Sequence, residues 1–93
     1  MRWKLFADLA EVADGREVEV ELPSDDGEAT VDDALDALLD ARPALADRVL
    51  DDGELREHVN LLRNGRDVSQ ESGLATPVEP DDELAMFPPV SGG

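Results

Sequence analysis

Between residues 31 and 39, Val31, Ala34, Leu35, Leu38 and Leu39 have the spacing of one face of an α-helix. Asp32, Asp33, Asp36 and Asp40 lie away from that face. A helix with a single apolar stripe has to bury it against something. The other apolar residues of this chain largely alternate, so the partner expected for the stripe is a sheet. The ends of the helix are written into the sequence as well. Thr30 can cap the first turn by accepting a bond from a free amide, with Asp33 three residues on as a shorter version of the usual capping-box acid. Pro43 stops the helix at about Arg42, because the residue before a proline is pushed out of helical geometry. A second short helix is expected over 44–50, followed by a turn at Asp51-Asp52-Gly53.

The strands are read from alternation. Over Met1 to Ala7, Trp3, Leu5 and Ala7 fall on one face and Lys4 and Phe6 on the other. Apolar character on both faces predicts a strand inside the sheet rather than at its rim. Asp8 to Asp14 is an Ala-rich connection with room for one helical turn, closed by Gly15. Arg16 to Leu22 alternates cleanly, with Val18, Val20 and Leu22 inward and Glu17, Glu19 and Glu21 outward, so one face meets solvent. These two runs predict a hairpin. After a polar loop over 23–28 and the helix, the run Leu55 to Arg63 places Val59 and Leu61 on one face. Asn64-Gly65 then signals a tight turn into a short strand over 66–68, since both residues tolerate positive φ. Residues 69–80 read as an irregular loop. The last strand spans Asp82 to Phe87, with Leu84 and Met86 opposite Ala85 and Phe87. The order strand, strand, helix, strand, short strand, strand predicts an α+β fold of the β-grasp type, a mixed sheet of four to five strands covered by one main helix. It divides the chain into a domain over 1–87 and a projecting tail over 88–93.

With 93 residues, one domain is the expectation. Asp and Glu number 24 against 8 Lys and Arg, a formal charge of −16, and phosphate-directed nucleic-acid binding is excluded on that ground. An acidic chain is often disordered, but 41% of this one is apolar and periodic, which argues for a fold. The near absence of lysine and the excess of Asp over Glu match a surface adapted to concentrated salt, where repulsion is screened within about 3 Å at 1 M. Stability that rises with molar salt is the corresponding expectation. There is no cysteine, which excludes disulfides, thiolate nucleophiles and cysteine-held metal. No membrane span or secretory signal is read from the sequence, so a monomer in the cytoplasm is expected.

The ending Phe87-Pro88-Pro89-Val90-Ser91-Gly92-Gly93 carries the clearest functional pattern. Two prolines remove two amide donors, so the last strand must stop pairing and leave the sheet. Two terminal glycines lack Cβ, which suits a flexible tip threaded into a narrow channel and leaves the final carboxylate unshielded. An ordinary frayed terminus is the competing reading of the tail alone. Other candidate sites are weaker. Asp32, Asp36 and Asp40 share a helix face, but a solvated face explains them better than a cation site. Asp51-Asp52-Gly53-Glu54 lacks the spacing of a calcium loop, and no metal site is expected. His58, the lone histidine, has no nucleophile to serve and reads as structural.

Trp3-Lys4-Leu5-Phe6-Ala7, Val59-Asn60 leading to Asn64-Gly65, and the segment from Asp82 to Gly93 together resemble the ubiquitin-like sulfur carriers and modifiers of the MoaD type, across nearly the whole chain. The closest resemblance is to the small archaeal modifier proteins of halophiles. It implies that an E1-like adenylating enzyme spends ATP to activate the carboxylate of Gly93, with Gly92 and Ser91 as the threaded linker. It further implies either conversion to a thiocarboxylate for sulfur transfer or an isopeptide bond to lysines of target proteins. The chain would then be a carrier and not an enzyme, with no bound cofactor of its own. Phe6, Phe87 and Val90 become candidate contacts with the activating enzyme, although packing in the core would serve either phenylalanine equally well. Lys4, the only lysine, is the one side-chain amine through which the protein could be linked to itself. The alternative implied function is a dedicated small subunit of molybdopterin synthase, whose tail docks in the large subunit. A passive β-grasp binding module with an incidental Gly-Gly end is a third reading.

Overall fold

The helical stripe meets a five-stranded mixed sheet in the computed structural model, which describes residues 1–23, 28–56 and 59–88. The first strand, β1 (Arg2–Leu5), is followed by a short helix, α1 (Asp8–Ala13), and by β2 (Glu17–Glu19), which pairs antiparallel with β1. The main helix α2 (Val31–Ala41) crosses the sheet. A 3-10 turn at Pro43–Leu45 runs on into α3 (Ala46–Val49). Two short strands, β3 (Leu50–Asp51) and β4 (Glu54–Leu55), form a separate hairpin. β5 (Asn60–Arg63), β6 (Arg66–Asp67) and β7 (Glu83–Phe87) complete the main sheet, whose order is β2-β1-β7-β5-β6. β1 and β7 lie side by side and parallel, while the other pairings are antiparallel.

The core forms on one side of this sheet. Trp3 and Leu5 of β1, Leu84 and Met86 of β7, Leu61 of β5 and Val18 of β2 all point to the same side and are buried. Val31, Ala34, Leu35 and Leu38 of α2 close over them, joined by Leu9 and Ala13 of α1 and by Leu45 and Val49. Side chains of this size are each worth about 1.5–3 kcal/mol when fully buried. Trp3 also sets the position of α2, because its indole Nε1 donates to the Ala34 carbonyl at 3.0 Å. A buried Trp without such an acceptor would forfeit its one polar bond.

The predicted caps are formed. The Ser/Thr-type capping bond runs from the Asp33 amide to Thr30 Oγ1, and the Thr30 amide donates back to Asp33 Oδ2 at 3.0 Å. Asn64 and Gly65 adopt φ of 51° and 84°, the positive values a two-residue hairpin turn demands. β1 is flanked on both sides, as its two-faced pattern predicts. Four details go beyond the sequence reading. The connection over 8–14 is a six-residue helix, so β1 and β2 pair across a helical insertion and not across a tight turn. The run 55–63 is split, with Leu55 in β4 and β5 starting only at Asn60. Asp52 and Gly53 are the turn of the β3-β4 hairpin, at φ 55° and 83°. The loop over 69–80 holds a 3-10 turn at Gly73–Ala75 and a single bridge from Pro77 to Thr30. No helix among the described residues is long and apolar enough to cross a membrane.

Candidate functional site: the open face of the sheet at the root of the tail

A sheet covered on one side leaves its other side to solvent, and strand register decides what is displayed there. In β1 and β7 the aligned pairs are Trp3 with Leu84, Lys4 with Ala85, and Leu5 with Met86. Trp3, Leu5, Leu84 and Met86 are inside, so Lys4 and Ala85 are outside. One step further along the two parallel strands the same alternation brings Phe6 and Phe87 together on the open face. Their rings stack with centroids 4.2 Å apart and planes 6° from parallel. Phe6 is 38% exposed, the one large apolar side chain among the described residues that is so displayed. Phe87 is half-buried, beneath Phe6 and opposite Asn60 of β5. Leu62, half-buried, faces Ala85 from β5 and extends the apolar strip.

Neither phenylalanine therefore belongs to the hydrophobic core, and the core-packing alternative for them is set aside by their position. Their stack marks the point where β7 ends and Pro88 begins. A shallow depression of 520 Å³ opens beside Phe6, lined by Lys4, Phe6, Arg16 and Glu17. Around it the charges are paired at the surface: Lys4 Nζ with Glu83 at 3.5 Å, and Arg2 with Glu17 at 3.7 Å and Glu19 at 3.4 Å. Exposed pairs of this kind contribute little stability, so their effect is to set the polar rim of the patch. Val90, Ser91, Gly92 and Gly93 lie outside the described residues, as does His58.

The acidic residues of α2 form the solvated face expected from the sequence. Asp32, Asp36 and Asp40 are exposed on the outer face of α2 and do not converge. The carboxylates that do approach one another, among the described residues, are Glu79, Asp81 and Asp82, within 4.8 Å. Asp82 is already engaged there, accepting from Arg63 Nε at 2.9 Å, Asn64 Nδ2 at 3.0 Å and the Glu79 amide at 2.8 Å. This clasp holds the loop leading into β7 against the β5-β6 turn. The sequence reading missed it, since the only local hint was a pair of acids just before the last strand.

Comparison with known proteins adds the following. Residues 3–93 match the model of the ThiS family. Small archaeal modifier protein 1 of Haloferax volcanii is 58% identical over 94 residues, spanning 100% of each chain. The crystal structure of SAMP1 from the same organism superposes with a TM-score of 0.87 at 57% identity, covering 100% of this chain and 98% of that one. A Pyrococcus furiosus structure described as molybdopterin converting factor, subunit 1, gives a TM-score of 0.74 at 28% identity, covering 96% and 95%.

Proposed function

The chain belongs to the ThiS family and is a ubiquitin-like small archaeal modifier, and from that premise we propose that its working group is the terminal carboxylate of Gly93. The protein is a modifier and sulfur carrier by family. In the proposed cycle an activating enzyme in the cytoplasm docks on the open sheet face, receives Ser91, Gly92 and Gly93 in its channel, and transfers AMP from ATP to the carboxylate, the α–β phosphoanhydride bond breaking and pyrophosphate leaving. A carboxylate resists nucleophiles because both oxygens share its charge. Joining it to AMP in a mixed acyl–phosphate anhydride supplies a leaving group and an electrophilic carbonyl carbon. A sulfur donor then yields the thiocarboxylate, or a lysine amine of a target protein yields an isopeptide bond. The chain itself acts as substrate and handle.

The observation that carries this reading is the exposed Phe6–Phe87 stack at the origin of the tail. Aromatic side chains at the centre of an apolar patch with a polar rim are the usual anchors of a protein interface. This patch lies where a partner holding the tail would also touch the domain. Val90 would add a third apolar contact within the tail. The Pyrococcus likeness favours a second reading, in which the tail serves as the sulfur-donating arm of a molybdopterin synthase small subunit. Recovery of a large synthase subunit with the protein, without tail remnants on lysines in lysate, would select that reading.

The test is intact mass after incubation with the cognate activating enzyme, ATP and a sulfur donor. The expected product has one C-terminal oxygen replaced by sulfur, and Phe6→Ser slows its formation by about tenfold or more, the loss of one interface anchor. An unchanged mass for the wild-type chain contradicts the proposal.

A further inference from the structure

Acidic residues outnumber Lys and Arg by 24 to 8 in this chain, so a cation without a partner is the exception that needs a reason. Lys4, Arg2, Arg48, Arg63 and Arg66 each meet a carboxylate, and Arg42 and Arg56 donate to backbone carbonyls. Arg16 is the one Lys or Arg whose side chain has no such partner among the described residues. Its backbone is fixed, because the Arg16 carbonyl accepts from the Leu5 amide at 2.8 Å. That bond sets Arg16 beside the end of β1, where its exposed side chain lines the 520 Å³ depression with Phe6, Lys4 and Glu17. The other two charges there are already engaged, Lys4 with Glu83 at 3.5 Å and Glu17 with Arg2 at 3.7 Å. The depression beside the aromatic stack is thus left with one unanswered positive charge, on a surface of the opposite sign.

Resting on the proposed function, we infer that Arg16 determines which enzyme the docking face accepts: its guanidinium takes a carboxylate of the activating enzyme while the Phe6–Phe87 stack fills an apolar seat beside it. The stack alone supplies area without direction, because apolar burial is non-directional. A guanidinium supplies the direction, since its planar fork donates to both oxygens of a carboxylate in one geometry and so fixes the register of the two proteins. Covering the depression takes water away from the pair and strengthens it. The sign of the charge adds discrimination. Over most of a surface carrying a formal −16, an acid on a partner meets other acids and is repelled. Opposite Arg16 it is attracted. An enzyme that presents a base there, or an apolar group that strips the guanidinium of water without replacing its bonds, is rejected. Arg16 takes no part in the transfer of AMP. Its contact is the same before and during the reaction, so losing it raises KM for the carrier and leaves kcat unchanged.

The test is ATP–pyrophosphate exchange by the cognate activating enzyme, with the carrier varied to give kcat and KM. Arg16→Gln and Arg16→Glu are compared with Arg48→Gln and Arg48→Glu, which make the same changes in net charge at an exposed arginine paired with Asp8 of α1. Arg16 holds no side-chain partner in the folded chain, so its variants should melt with wild type, and rates taken well below the melting point report on docking and not on the folded fraction. Arg16→Gln should raise KM by about tenfold, the loss of one charge-assisted contact, with kcat within about twofold. Arg16→Glu has the shape of the glutamine variant and the opposite charge from arginine, and should raise KM by a further threefold or so, to about thirtyfold. Both Arg48 variants should stay within about twofold of wild type. Equal KM for Arg16→Gln and Arg48→Gln overturns the inference. Equal KM for Arg16→Gln and Arg16→Glu shows that the side chain acts by packing, and overturns the carboxylate partner. A fall in kcat at constant KM overturns the positioning role. Absence of exchange with the wild-type chain refutes the proposed function itself and takes this inference with it.

Discussion

Asp82 shows how one side chain fastens the strand that carries the tail. Its carboxylate is 8% exposed, and burial alone would raise its pKa. The bonds from Asn64, the Glu79 amide and Arg63 outweigh burial and hold it below the ordinary aspartate value. Asn64 also accepts from the Glu83 amide at 2.9 Å, so the clasp fixes the first residue of β7 as well as the loop before it. A depressed folded-state pKa means a contribution that is complete above the unfolded value near 3.8 and is lost as pH falls through the lower folded value. Asp82→Asn should therefore cost about 1–3 kcal/mol at neutral pH, where hydrogen bonds to a charged acceptor are broken. The gap between wild type and variant should shrink below about pH 3.8. Denaturant melts of both proteins across that range check the sign. A gap that stays constant with pH would show that the charge on Asp82 contributes nothing.

At the scale of elements, what could be read from sequence was whatever is encoded locally. The α2 stripe, its Thr30–Asp33 box, the Pro43 stop and the Asn64-Gly65 turn each depend on residues within a few positions, and all are formed as expected. The alternation in 16–22 gave the right inward residues, but the ladder stops at Glu19 while Val20 remains buried, its amide donating to the Met1 carbonyl at 3.0 Å and its carbonyl accepting from the Met1 ammonium at 3.3 Å. Burial pattern outlasts strand pairing there. The β3-β4 hairpin escaped notice because strands of two residues have no period to detect. The stacking of Phe6 on Phe87 was illegible for a different reason. Periodicity places each phenylalanine on the face away from the core, but their adjacency follows from the parallel pairing of two strands at opposite ends of the chain. Residue types alone left the tail between a functional tip and a frayed terminus, and its proposed chemistry, which needs an unhindered carboxylate and not a folded pocket, entered only with the resemblance of the whole chain.

Over the whole molecule, charge outweighs every local feature. A formal −16 on a 93-residue domain opposes compaction, and the surface pairs of Lys4, Arg2, Arg48 and Arg66 offset only part of it. Likeness to modifiers of Haloferax volcanii fits the halophilic reading of this surface. Raising salt from about 0.1 M to 2 M cuts the screening length from about 10 Å to below 3 Å. The melting temperature should rise by about 5 °C or more over that interval, a shift of roughly 1 kcal/mol for a domain of this size. A flat or falling melting temperature would contradict the assignment of the acidic surface to salt adaptation. The same whole-molecule view divides the labour between domain and tail: the domain's apolar core, Trp3 anchor and Asp82 clasp all lie before Pro88. Removal of Gly92 and Gly93 tests that division most directly. The truncated protein should melt at the wild-type temperature and acquire neither AMP, sulfur nor a lysine partner when incubated with the activating enzyme, ATP and a sulfur donor. A truncated protein that is still activated would contradict the account.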